Sequence, residues 1–213
     1  MDSNLKKPSA EVLPISDRAA VQAARRMIAA GGVIAFPTDT VYGIGCSAVR
    51  PQAIRSLYLI KQRDTSKGIP ILIPDLQDLE QIAGKISPAA VRLAEAFWPG
   101  PLTMILPAHP DLPAEISPTP TVGVRIPNYP LTRQLLQETG PLAATSANLS
   151  GEESATSADQ VRRKIGTRLD LILDGGPSPV GVASTVINLT SGQPELLREG
   201  PISLQQIQAL LRD

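Results

Sequence analysis

Reactive side chains are scarce in this sequence. It holds one cysteine, Cys46, and one histidine, His109. A single thiol excludes an internal disulfide framework and fits a reducing compartment, and one thiol with one imidazole falls short of a structural zinc site. Aromatic residues number one Trp, three Tyr and two Phe in 213 residues, too few for a surface that stacks successive bases. Neither sign of charge prevails, because 20 Lys and Arg balance 20 Asp and Glu. No overall field therefore draws the chain to nucleic acid or to an anionic membrane. No apolar run approaches membrane-spanning length, and the opening MDSNLKKPSAEVLP has no apolar core of a secretory leader. These absences lead us to expect a soluble, cytoplasmic protein.

Proline, by contrast, is abundant at 21 residues, about twice its usual share of about 5%. The prolines are scattered and punctuate short elements. Residues 1–14 read as a flexible N-terminal segment and 15–213 as one domain. Ser16 is placed to cap a helix running to Gly31 and Gly32, with Val21, Ala24, Met27 and Ile28 on one face. GGVIAF and GIPILI read as buried strands, and Pro51 suits the first turn of a helix carrying Ile54, Leu57 and Tyr58 on one face. Helices are expected over 75–84, from Ser87-Pro88 to Phe97, near 129–139 and 157–165, and in the closing SLQQIQALLRD. PLTMIL, TVGVRI, PLAATS, DLILDG and STVINL are apolar runs bounded by Gly, Pro and Asn. Strands interleaved with helices argue for an α/β domain. The Pro-rich stretch 107–121 holds no helix, so the sheet should be mixed.

Gly43-x-Gly45-x-x-Ala48 with Asp64 further on imitates a dinucleotide fingerprint. That site needs a helix to begin at the glycines. Here the helix signal waits until Pro51, so the glycines read as turn positions. No G-x-x-x-x-G-K-[ST] is present either. The informative stretches lie at strand ends. FPTDTVYG delivers Thr38, Asp39 and Thr40, which can form a local side-chain turn or line the mouth of an α/β sheet. KQR ends a helix with Lys61 and Arg63, and Lys67 follows. Cations there offset the helix dipole, or clamp phosphate. TSANLSG supplies Thr145, Ser146, Asn148 and Ser150, neutral groups that suit a cap or a polar ligand. Arg125 sits inside the apolar VGVRIP and needs a partner or an anion. Ser184 and Thr185 begin a strand, and Arg198 ends one. His109 reads as a loop residue, so no Ser/His/Asp constellation exists. These groups can bind and align anions, with catalysis by proximity and charge stabilisation.

Taken in order, GGVIAFPTDTVYGIGC, KQR, WPGPLT, VGVRIP, TSANLSG, STVINL and LLREG resemble the YrdC-like family of threonylcarbamoyl-AMP synthases, over about residues 20–200. The resemblance implies a twisted mixed sheet with flanking helices and a large concave cleft. It implies formation of threonylcarbamoyl-AMP and pyrophosphate from L-threonine, bicarbonate or CO2, and ATP with Mg2+. Partner proteins then transfer the threonylcarbamoyl group to adenosine beside the tRNA anticodon. By position in the motifs, Thr38, Arg125, Ser146 and Ser184 would contact threonine. Lys61, Arg63, Thr121, Asn148, Thr156 and Arg198 would contact nucleotide, with Lys61 and Arg63 catalytic. No protein ligand for a metal is implied. The chain departs from the pattern at Asp64, where proline often follows K-x-R, and at Asp39, where Glu is common. The loop TSKGIPILI resembles the shorter bacterial form. The chain ends soon after LLREG, without the further C-terminal domain of long members.

Two alternatives stand beside this one. One is an RNA-binding module in ribosome or tRNA maturation, with weak RNA binding. The other is a paralogue that uses another carbamoyl acceptor.

Overall fold

The computed structural model describes residues 8–191 and 193–212. The elements alternate along the chain: β1 (Glu11–Pro14), α1 (Arg18–Ala29), β2 (Ile34–Phe36), β3 (Gly43–Ser47), α2 (Pro51–Lys61), β4 (Ile71–Leu72), α3 (Pro88–Phe97), β5 (Leu102–Pro107), β6 (Thr121–Arg125), α4 (Pro130–Thr139), β7 (Leu142–Ser146), α5 (Ala158–Ile165), β8 (Leu171–Asp174), β9 (Thr185–Asn188), β10 (Glu195–Arg198) and α6 (Leu204–Arg212). The ten strands form one sheet in the order β1-β8-β2-β3-β7-β4-β6-β5-β9-β10. Parallel pairs (β1/β8, β2/β8, β4/β6, β5/β9) are mixed with antiparallel ones, as the missing crossover helices required.

Alternation along the strands divides the core in two. Ile34, Phe36, Leu142, Ala144, Leu171 and Leu173 face α1 and α4. Their neighbours Ala35, Ala143 and Ile172 face the opposite side, with α2, α3, α5 and α6. The period of two along a pleated strand produces this division. Each fully buried aliphatic side chain contributes about 1.5–3 kcal/mol. The α1/α4 layer ends before the strands β6, β5 and β9. Arg125, Thr103, Ile105 and Val186 on that face are not covered by helix and line a cleft.

Several expectations change. Glu11–Pro14, placed in the flexible start, is an edge strand. It pairs in parallel with β8, and Ile15 N–H bonds Asp174 O at 2.7 Å. Pro14 is tolerated there because an edge strand leaves one side of its backbone unpaired. The remainder of that start, residues 1–7, lies outside the described residues. The cap of α1 is Asp17 rather than Ser16, its carboxylate accepting from Ala19 N–H at 2.9 Å. A charged cap also complements the helix N-terminus. Residues 76–81 form a 3-10 helix rather than an α-helix over 75–84.

Gly43 and Gly45 are strand residues of β3, not turn positions. The Phe36 ring lies across them: a Cβ on Gly45 would come within 3.0 Å of Phe36 Cε1 and of Ala143 O. Gly45→Ala is therefore expected to destabilise the chain by about 1–3 kcal/mol in urea unfolding. A loss below about 0.5 kcal/mol, the range of neutral surface changes, would show that the Phe36 stack can yield.

Candidate active-site cleft

A cleft of about 270 Å³ opens on the uncovered half of the sheet. Its first wall is the loop between β2 and β3. The Thr38 hydroxyl accepts the N–H groups of Thr40 and Val41 at 3.2 and 3.3 Å and donates to Val41 O at 2.6 Å. PTDT is thus a side-chain turn and a cleft wall at once, since Thr38 and Thr40 both line the opening.

Asp39 points to Arg125. Its Oδ1 accepts from Arg125 Nη2 at 2.5 Å and from Asn128 N–H at 3.1 Å, while Arg125 Nη1 bonds Thr40 Oγ1 at 2.8 Å and Nε bonds Gly100 O at 3.0 Å. The partner expected for Arg125 is therefore an internal carboxylate. A guanidinium has five N–H donors, so two remain on a side chain that lines the cleft. Burial weakens its basicity first, and Asp39 restores part of it. Gly100 must be glycine for this corner to close, because a Cβ would lie 2.3 Å from Phe97 O. Asp39 Oδ2 is buried without a hydrogen-bond partner among the described residues.

The second wall is cationic. Arg63 follows Gln62, whose left-handed backbone (φ 52°) ends α2. Its Nε bonds Lys67 O at 3.1 Å and its Nη2 bonds Gly68 O at 2.9 Å, which ties down the 64–68 loop. Arg198 reaches in from β10 and bonds Ser184 O at 2.9 Å and Ser184 Oγ at 3.0 Å. Ser184 Oγ in turn lies 2.8 Å from Thr103 Oγ1. Lys61 is buried behind them, with its Nζ on Ser146 O, Ser146 Oγ and Asn148 Oδ1 at 2.6, 2.9 and 3.0 Å. Burial, then the charges of Arg63 and Arg198, push its ammonium down to about 7. No carboxylate lines the cleft among the described residues; Glu152 favours the charge of Lys61 and Asp64 that of Arg63 from outside it.

Of the residues singled out from sequence, Thr38, Arg63, Arg125, Ser146, Ser184 and Arg198 meet in this cleft. Lys61 and Asn148 stand behind it, joined to it through Ser146. Thr121 and Thr156 do not line it. Thr121 borders a separate pocket with His109, and its hydroxyl bonds Thr119 at 2.8 Å. The N–H and hydroxyl of Thr156 both bond Gln160 Oε1. Asp64 is exposed and accepts from Ser66 N–H at 2.9 Å. It caps its own turn rather than placing a negative charge in the cleft. Thr40, Thr103 and Thr145 also line the opening, although the sequence assigns none of them a ligand. Thr103 carried a readable signal, a polar residue inside the apolar PLTMIL that parallels Arg125 in VGVRIP.

Removing the Asp39 carboxylate leaves Arg125 buried and unpaired. Asp39→Ala is expected to lose about 3–5 kcal/mol in denaturant unfolding, and a loss under about 1 kcal/mol would deny the pair its structural role. Lys61 predicts a pH trend. Its folded value lies below the ordinary 10.5, so the unfolded chain binds more protons above about pH 7, and this group's contribution to stability rises with pH from there. The wild-type minus Lys61→Met difference in unfolding free energy, followed from about pH 7 to about pH 8.5, should grow in that direction. That range stops short of the thiol of Cys46, which burial pushes up from the ordinary 9.0. A flat difference would contradict the assignment.

Comparison with known proteins places the chain. Residues 26–200 match the Sua5/YciO/YrdC family model, described as telomere recombination. The threonylcarbamoyl-AMP synthase of Bacillus subtilis is 42% identical over 182 residues, which are 84% of this chain and 53% of that protein. The threonylcarbamoyl-AMP synthase of Pyrococcus abyssi is 38% identical over 193 residues, 90% of this chain and 57% of that protein. A crystal structure of P. abyssi Sua5 complexed with L-threonine has a TM-score of 0.90 at 36% identity, over 94% of this chain and 60% of that one. The chain thus spans a little over half the length of these two curated relatives. With four-fifths of its residues inside the family model and this level of identity, the chain belongs to the Sua5/YciO/YrdC family.

Proposed function

We propose that this chain is an L-threonylcarbamoyladenylate synthase, because its cleft gathers Arg63, Arg125 and Arg198 beside several neutral hydroxyls, and among the described residues Arg63 and Arg198 make no ion pair. That combination suits one ligand with a carboxylate and small polar groups, and a second ligand with several phosphates. The first is L-threonine, which the P. abyssi relative binds; the second is ATP. The threonine amine and bicarbonate form a carbamate with loss of water. A carbamate oxygen then attacks the α-phosphorus, and the bond to the β-phosphate breaks as pyrophosphate leaves with its electron pair. Chemistry of this kind needs positioning and charge stabilisation more than a nucleophilic side chain, which agrees with a cleft lined, among the described residues, by no Cys, His or ionised carboxylate.

In this reading the two remaining N–H groups of Arg125 and the hydroxyls of Ser146 and Ser184 hold threonine, and Thr38, whose hydroxyl is engaged in its own turn, shapes the wall beside it. Arg63 and Arg198 offset the charge that grows on the departing pyrophosphate. Asn148, Thr121 and Thr156 remain nucleotide-side proposals, since each is engaged locally in the free chain. Among the described residues no group of three or more His, Cys, Asp or Glu side chains is placed to hold a metal. Magnesium is accordingly assigned to the phosphates of ATP, with no step drawn through it. The product is consumed by proteins that transfer the threonylcarbamoyl group to tRNA. None of the described helices is long and apolar enough to cross a membrane, and we assign the protein to the cytoplasm, where tRNA and ATP meet.

Pyrophosphate release with ATP, magnesium and bicarbonate is the test. Release that requires both L-threonine and bicarbonate is expected, and Arg198→Ala should lower turnover about 10²–10³-fold, as loss of one charge-stabilising donor does. Background release from folded, magnesium-replete protein would refute the reading.

A further inference from the structure

Lys61 poses a problem for direct phosphate binding. An ammonium has three donors, and all three are already taken by Ser146 O, Ser146 Oγ and Asn148 Oδ1. The side chain is 3% exposed and does not line the cleft. Ser146 does line it. A hydroxyl has one proton and two lone pairs; Lys61 occupies a lone pair of Ser146 Oγ, and no acceptor among the described residues takes the serine's own proton. A hydroxyl whose oxygen accepts from a cation is the stronger donor, because hydrogen bonds in series polarise one another.

We propose that Lys61 is a positioning residue whose ammonium holds and polarises the Ser146 hydroxyl as a donor to the carboxylate of the amino-acid substrate. The inference rests on the amino-acid reading of the cleft given above.

The surroundings hold this relay in place. Asn148 cannot turn its carbonyl away from Lys61, because its Nδ2 donates to Leu149 O and Glu152 O at 2.7 and 2.8 Å. Ser150 N–H bonds Lys61 O at 3.0 Å, so the loop after β7 is tied to the end of α2 at both backbone and side chain. The charged groups facing Lys61 are Arg63 beyond the end of α2, Arg198 from β10 and Glu152 from the segment after β7. The two arginines oppose the ammonium, and Glu152 favours it. A carboxylate that accepts from the Ser146 hydroxyl adds to the favouring side through that hydroxyl. Ligand binding and protonation of Lys61 therefore reinforce each other, and affinity falls as pH rises through about 7.

The test is calorimetric titration of the full chain with L-threonine, from about pH 6 to about pH 8.5, where the ligand's carboxylate stays ionised. Wild type, Ser146→Ala, Lys61→Met and the double variant are compared. The ligand's own amine titrates identically against each protein, so differences between the curves isolate Lys61. Across the range, wild-type affinity is expected to fall about tenfold more than that of Ser146→Ala, the factor that follows if the bound carboxylate makes the ammonium about tenfold harder to deprotonate. In the Ser146→Ala background, Lys61→Met should cost nothing further. A Lys61→Met loss that adds in full to that of Ser146→Ala, or a wild-type pH slope that survives in Ser146→Ala, would show that Lys61 touches the ligand itself and would overturn the relay. The comparison of wild type with Ser146→Ala needs no Lys61 variant, so it stands even if Lys61→Met fails to fold. If wild type binds no threonine at any pH, the amino-acid reading fails and the relay with it, a result distinct from additivity.

Discussion

The guanidinium of Arg125 and the carboxylate of Asp39 meet where three separate parts of the chain converge. Arg125 ends β6, Asp39 sits in the loop after β2, and Gly100 contributes its carbonyl from the turn before β5. The side chains of the pair are 7% and 6% exposed. Charges that deep are tolerated only when paired and hydrogen-bonded. Asp39, Thr40 and Gly100 between them engage three of the guanidinium donors, which fixes the rotamer and leaves two donors on a side chain that lines the cleft. A fully bonded arginine would have nothing to offer a ligand, and an unpaired one would not stay buried.

The opposite wall works on a different balance. Arg63 and Arg198 are held by backbone carbonyls and by Ser184, and Lys61 by neutral oxygens. Among the described residues none makes an ion pair, and burial, then the two arginines, lowers the basicity of their neighbours: Arg63 acts on Lys61 and Arg198, and Arg198 acts on Lys61 and Arg125. Such mutual repulsion disfavours the empty folded state and favours any anion that enters. Stability given up at a site in this way is ordinarily recovered from packing elsewhere. Here that means the two apolar clusters on either side of the ten-stranded sheet.

Much of this was legible in the residues themselves. Apolar runs bounded by Gly and Pro located β5, β6, β7, β8 and β9. Ser87-Pro88 marked the start of α3, which Ser87 caps. The polar strand ends led to the cleft because a hydroxyl or a guanidinium in an apolar run has few other places to go. What stayed hidden depended on tertiary partners. Gly43 and Gly45 look like turn residues until the Phe36 ring is laid across them. Glu11–Pro14 looks like a loose start until β8 offers it an edge. Local pattern cannot tell whether Lys61 meets a ligand or the back of Ser146, since both place a cation at the end of α2. It was equally silent on whether Asp64 faces the phosphates or caps its own turn.

The central claim is that the cleft holds two ligands, the amino acid at Arg125 and Ser146 and the phosphates between Arg63 and Arg198. A crystal structure of this chain with L-threonine and a non-hydrolysable ATP analogue tests it directly. The account predicts the threonine carboxylate within hydrogen-bond distance of both Arg125 and Ser146 Oγ, with Asp39 still on Arg125 and Lys61 still on Ser146. A carboxylate bound at Arg63 or Arg198, or a phosphate in direct contact with Lys61, would contradict it.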